Sequence, residues 1–121
     1  MKGISRTLNN GVCILKLLEQ KYFSNSRVLF QENLQAAEAE SEGGLIIIDL
    51  NSAALITSGP LGALRACHRR LQARGGRIVA AGGGEFAVKV LSFAANFIDH
   101  YPSVEAAMAD IAPDLRKETD L

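Results

Sequence analysis

The sequence predicts an α/β domain: a mixed, mostly parallel β-sheet of four to five strands with about four α-helices. Three observations carry this. Two short apolar runs, "LIIIDL" at 45–50 and "RIVAAGG" at 77–83, read as strands covered on both faces. Stretches with apolar residues at helical spacing separate and follow them. Strands that alternate with helices imply parallel pairing through right-handed crossovers.

The elements follow in order. "GISRTL" and "GVCILKL" predict a hairpin around the turn-forming Asn9, Asn10 and Gly11, with Val12, Ile14 and Leu17 buried and Lys16 outward. "SNSRVLFQENLQAAEAE" predicts a helix capped by Ser24 or Ser26, its Phe30, Leu34 and Ala37 on one face. Gly43 and Gly44 return the chain to "LIIIDL", the central strand. Pro60 to Arg74 is the next helix, with Leu61, Leu64, Cys67, His68 and Leu71 inward, Arg65, Arg69 and Gln72 outward, and Gly75 as a left-handed cap. "RIVAAGG" is a strand, "EFAVKVLSFAA" a helix, "FIDHY" a short edge strand. "PSVEAAMADIA" is a last helix, with Ser103 as N-cap and Pro113 past its end.

A chain of 121 residues suits one domain spanning 1–121. Thirteen basic residues balance thirteen acidic ones, which argues against nucleic acid or an anionic membrane as a partner gathered by bulk charge. Tryptophan is absent and aromatics make up only 6%, so a base-stacking platform is not expected. Cys13 and Cys67 have no partner spacing and read as small buried residues of a reducing compartment. No spacing of Cys, His, Asp and Glu suggests a metal site, and no Ser–His–Asp arrangement suggests catalysis, so neither cofactor nor enzyme activity is expected. "MKGISRTLNN" lacks the apolar core of a signal peptide, and the longest unbroken apolar run is "LIII". A cytoplasmic location is expected.

The stretch "GLIIIDLNSAALITSGPLGALRACHRRLQARGGRIVAAG" resembles the STAS domain of anti-sigma factor antagonists. The likeness extends to "PSVEAAM" and back to "YFSN", nearly the whole chain. In that family a strand ending Asp-Leu leads through a loop to Asp-Ser-Ser-Gly-Leu, a helix, and a Gly-Gly turn into the next strand. Here Asp49 and Leu50 stand at the strand end, Ser58 at the first serine, and Leu61, Leu64, Gly75 and Gly76 follow in register. Thr57 replaces the family's Asp, Gly59 its second Ser and Pro60 its Gly. Ahead of the first helix, where the family often carries Gly-Glu-Leu-Asp, this chain has Glu19, Gln20, Lys21 and Tyr22.

The resemblance implies a STAS-type fold and a regulatory interaction module of bacterial transcription. Such a module docks on an anti-sigma factor with serine kinase activity, which phosphorylates it at Ser58. The implied docking residues are Ser24, Asn25, Thr57, Ser58, Gly59, Leu61 and Gly62. ATP and magnesium would belong to the kinase.

Physical chemistry gives Ser58 two readings. A serine before Gly-Pro suits a helix N-cap, which contributes about 1 kcal/mol. The same helix start favours negative charge, and a phosphate brings about −1.5 to −2 at pH 7, which a docked partner would have to desolvate. Two other functions compete. "AAGGGEFA" places Gly82, Gly84 and Ala87 at the spacing of a dinucleotide-binding turn, with Asp99 as a candidate ribose ligand, so a nucleotide or anion could bind the Gly82–Gly84 loop. Within the resembled fold, the chain could also be a STAS subunit of a lipid or anion transport system. Arg65, Arg69, Arg70, Arg74 and Arg77 read as a solvated helix face and cationic helix end, available to a partner surface.

Overall fold

The computed structural model describes residues 3–51, 53–85, 88, 89, 91 and 97–112. Strand β1 (Ile4–Asn9) and strand β2 (Val12–Leu17) form the expected antiparallel hairpin, in register from Ile4 opposite Leu17 to Asn9 opposite Val12. Asn10 (φ 51°) and Gly11 (φ 81°) make the two-residue turn in left-handed backbone, which matches the twist of the flanking strands.

β4 (Leu45–Asn51) pairs in parallel with β2 on one side and with β6 (Arg77–Gly82) on the other. β6 pairs in parallel with β7 (Asp99–Tyr101), an edge strand as expected. The five-stranded sheet therefore runs β1-β2-β4-β6-β7, with "LIIIDL" at its centre. A second, two-stranded sheet pairs β3 (Lys21–Tyr22) with β5 (Leu55–Ile56), and spacing does not reveal it because two residues are too few for a period.

Two apolar clusters sandwich the main sheet. On one face Cys13, Leu15, Leu17, Ile46, Ile48, Leu50 and Ile78 meet Phe30, Leu34 and Ala37 of α1 (Arg27–Glu40) and Leu64, Cys67 and Leu71 of α2 (Ser58–Arg74). On the other face Val12, Ile47, Val79 and Ala81 meet Ala107, Met108 and Ile111 of α3 (Val104–Ile111). β2 is thus two-sided: Leu15 is buried and Ile14 only half-buried, where the alternation predicted Ile14 inward.

Caps and counts differ in part from expectation. Ser24–Ser26 forms a 3-10 turn, and α1 opens at Arg27 with no side-chain cap from Ser26. Gly75 does close α2 in left-handed backbone (φ 76°), with the Gly76 amide donating to the Leu71 carbonyl at 2.8 Å. Ser103 does cap α3, accepting from the Ala106 amide at 3.1 Å. Three helices have their bounds within the described residues, against about four expected. Most of "EFAVKVLSFAA" lies outside those residues, as does Pro113.

Candidate functional site

The site forms where the chain leaves the carboxyl end of the central strand. Asp49 accepts the Asn51 amide on its Oδ1 at 3.0 Å, and Asn51 (φ 51°) donates from Nδ2 to the Leu17 carbonyl at 3.1 Å. The backbone thereby turns off the sheet toward β5, where it is tied to β3. The amides of Ala54 and Leu55 both donate to the Gln20 carbonyl. The Thr57 amide (2.9 Å) and hydroxyl (3.2 Å) both donate to the Tyr22 carbonyl.

Tyr22 is the anchor of this arrangement. Its side chain is buried, its ring meets Phe30 edge-on with centroids 5.3 Å apart, and its hydroxyl donates to the Gly3 carbonyl while accepting the Glu19 amide at 2.8 Å. Burial pushes the Tyr22 phenol above its ordinary pKa, keeping it a neutral donor.

The N-cap position of α2 is Thr57, not Ser58. Thr57 has extended backbone (φ −96°, ψ −176°), its carbonyl accepts the Leu61 amide at 3.1 Å, and its hydroxyl is turned back to Tyr22 and caps nothing. Ser58 is the first helical residue, two before the Pro60 that opens the predicted helix. Pro60 is buried in the first turn, where a missing N–H costs nothing. The Ser58 side chain is exposed and makes no hydrogen bond among the described residues, so the capping role expected from sequence is absent.

The residues expected to dock a partner do converge. Gly59 packs directly on the backbone of Ser24, which brings the Ser24–Ser26 turn against the start of α2. Ser24, Asn25, Ser58 and Gly62 are exposed, while Thr57, Gly59 and Leu61 are half-buried. Spacing drew no attention to Phe23, which begins the same turn and is 50% exposed, an unusual state for so large an apolar ring.

The competing features find structural partners. Gly82 (φ 71°) and Gly83 (φ 91°) need left-handed backbone, and a Cβ on Gly83 would meet Leu50 at 2.8 Å. His100 Nε2 lies 2.7 Å from the Gly82 carbonyl oxygen. Asp99 is held by Arg77 at 2.8 Å, and Arg70 is paired with buried Glu38 at 2.7 Å. Arg65 lies 4.9 Å over the Phe97 ring, which His68 also packs against. Both cysteines are buried, and burial pushes the Cys13 thiol up to about 11 and the Cys67 thiol up to about 12. Among the described residues no group of three or more His, Cys, Asp or Glu could hold a metal ion, and no helix is long and apolar enough to cross a membrane.

No protein-family model and no curated protein matches the chain. Solved structures do. An anti-sigma-factor antagonist (STAS) domain protein from Planctomyces limnophilus aligns with a TM-score of 0.78 at 17% identity, covering 89% of this chain and 96% of that one. TM1081 from Thermotoga maritima, described as a candidate anti-sigma factor antagonist, aligns at 0.74 and 19% identity, covering 89% and 93%. The Bacillus cell fate determinant SpoIIAA, solved in its phosphorylated form, aligns at 0.67 and 15% identity, covering 89% and 98%. At these identities the likeness speaks to architecture, and it agrees with the mixed, mostly parallel sheet above: this chain has the fold of the STAS domains of anti-sigma factor antagonists.

Proposed function

We propose that the chain is a non-enzymatic, cytoplasmic interaction module of transcriptional control, an anti-sigma factor antagonist whose partner is an anti-sigma factor with serine kinase activity. The docking surface is the start of α2 together with the Ser24–Asn25 turn, and Ser58 is the switch. One observation carries this reading: the Ser58 hydroxyl is exposed at the first position of α2 and bonded to nothing among the described residues. It is accessible to a kinase, and its modification breaks no hydrogen bond among the described residues.

The amides at a helix start and the aligned peptide dipoles favour a phosphate there. The fold would therefore tolerate the charge, while a partner seated on the same surface would have to strip its hydration. Phosphorylation releases the partner and leaves the domain folded. Thr57 is a poorer acceptor because its hydroxyl is already committed to Tyr22.

The test is to incubate the chain with each purified kinase-type anti-sigma factor of its source organism, with magnesium and ATP, and to measure both binding and mass. A single added phosphate that Ser58→Ala abolishes, with binding weakened in Ser58→Asp, supports the reading. A phosphate that persists in Ser58→Ala moves the switch elsewhere, and no binding by any of these kinases refutes the reading.

A further inference from the structure

We infer that the free edge of β1 is a self-pairing surface: two copies of this chain join β1 to β1, antiparallel, into one continuous sheet. This pairing depends neither on Ser58 nor on a kinase.

β1 stands at one end of the five-stranded sheet, so β2 occupies only one of its two edges. Asn9 and Val12 flank a two-residue turn, a position that exchanges ladder bonds, and at the far end the Leu18 amide donates to the Gly3 carbonyl at 2.9 Å. Alternate residues therefore bond toward β2: Gly3, Ser5, Thr7 and Asn9. Arg6 and Leu8 turn their N–H and C=O groups the other way, and no backbone partner meets those groups among the described residues. Arg6, Thr7, Leu8 and Asn9 are all exposed, Leu8 at 55%.

Sheet edges that stay unpaired carry a proline, a bulge, a projecting charge or very little length. β7, the opposite edge, has such devices: it is three residues long and Pro102 follows it. β1 has six residues, an unbroken register and no proline. Its single charge, Arg6, is drawn onto α1, with Nε 3.1 Å from Glu40 Oε1.

A second copy suits this edge by symmetry. With Thr7 opposite the partner's Thr7, Arg6 falls opposite the partner's Leu8, and Leu8 opposite the partner's Arg6. Both of the latter pairs bring outward N–H and C=O groups face to face, and each exchanges ladder bonds in both directions. The threonines meet as a non-hydrogen-bonded pair, a favourable cross-strand match. The Leu8 side chains share the α1 face with Arg6 and become diagonal neighbours across the seam. The register that sets Arg6 against the partner's Arg6 would oppose like charges. An extended peptide is a poorer occupant: strand addition takes its specificity from pockets beside the edge, and Leu8 projects there instead. The contact is isologous and uses up the β1 edge, so growth stops at two copies.

The twofold axis of such a pair stands perpendicular to the sheet. β2, β4 and β6 of the two copies then run in opposite directions, which puts the two starts of α2 at opposite ends of the joined sheet.

The experiment measures the mass of the full chain by sedimentation equilibrium from about 5 to about 500 µM, a range suited to a small, weak interface. The mass should double across that range. Leu8→Pro removes an outward N–H and no hairpin bond, and Leu8→Lys places two ammonium groups near each other; each should weaken association about tenfold or more. Val28→Lys, an equally exposed site on α1 outside the seam, should leave it within about twofold. Melting curves establish that each variant folds, and Leu8→Lys alone decides if Leu8→Pro does not. Under diamide, Thr7→Cys should form a disulfide-linked dimer, because non-hydrogen-bonded partners stand at bridging distance. Asn9→Cys should not, since four residues of strand would separate the two thiols, about 13 Å. Cys13 and Cys67 are buried and do not compete.

A chain that stays monomeric throughout the range overturns the inference and leaves the β1 edge to an extended segment of another protein. A dimer unmoved by both Leu8 variants overturns it by placing the contact elsewhere. Equal crosslinking of Thr7→Cys and Asn9→Cys, or a mass that climbs past two copies, also overturns it.

Discussion

Gly59 lies so close to Ser24 that a Cβ built on it would stand 3.0 Å from both the Cα and the carbonyl oxygen of that serine. The obstacle is backbone, which cannot swing aside as a side-chain end can. Gly62, one turn along α2, faces open space. The two glycines should therefore answer alanine in opposite directions. Gly62→Ala should stabilise by about 0.5–1 kcal/mol, since the helix gains propensity and the unfolded chain loses freedom. Gly59→Ala should cost about 1–3 kcal/mol, the usual range for overpacking. Urea denaturation decides it, and equal stabilisation by both would mean that the Ser24 turn yields.

Ser58→Ala should leave stability within about 0.5 kcal/mol of the parent, because the hydroxyl is exposed and unbonded among the described residues. A loss near 1 kcal/mol on thermal or urea unfolding would restore the capping role to this serine.

Ser103 provides the matching positive control. Its side chain accepts the Ala106 amide at 3.1 Å, a true N-cap at the start of α3. Ser103→Ala should cost about 1 kcal/mol, and Ser103→Asp should retain most of that.

The buried thiols predict an alkaline limit. Cys13 and Cys67 are raised in the folded chain from 9.0 to about 11 and about 12, first of all by burial. Below pH 9 both states keep these protons and the thiols add no slope. Above it the unfolded chain releases protons that the native chain retains, so stability falls as pH rises through the window up to those raised values. The slope approaches about 1.4 kcal/mol per pH unit for each thiol. Denaturation at about pH 8 and about pH 10 should show the fall, and Cys67→Ala should reduce its steepness.

Much of the architecture was legible because long-range order here follows local pattern. "LIIIDL" has no polar face, so it had to be central, and Asn10-Gly11 admits few structures other than a tight hairpin. Gly75 and Ser103 were legible for the same reason: each serves the helix next to it. The errors lie where tertiary contacts decide. Thr57 takes the cap position of α2 because its amide and hydroxyl are drawn to Tyr22, a residue 35 positions away in sequence. The β3–β5 pair is invisible to periodicity, and with it the reason Tyr22 is buried while Phe23 is not. The convergence of Ser24 with Ser58 came from family likeness rather than from spacing, and the structure accounts for it through the missing side chain of Gly59.

The Tyr22 carbonyl, by accepting two donors from Thr57, does more than join two short strands. It means that the ordering entropy of the segment leading to α2 is surrendered once, as the chain folds, and need not be surrendered again at each encounter. In the proposed docking role, a partner would meet a finished shape and would not have to order this segment itself.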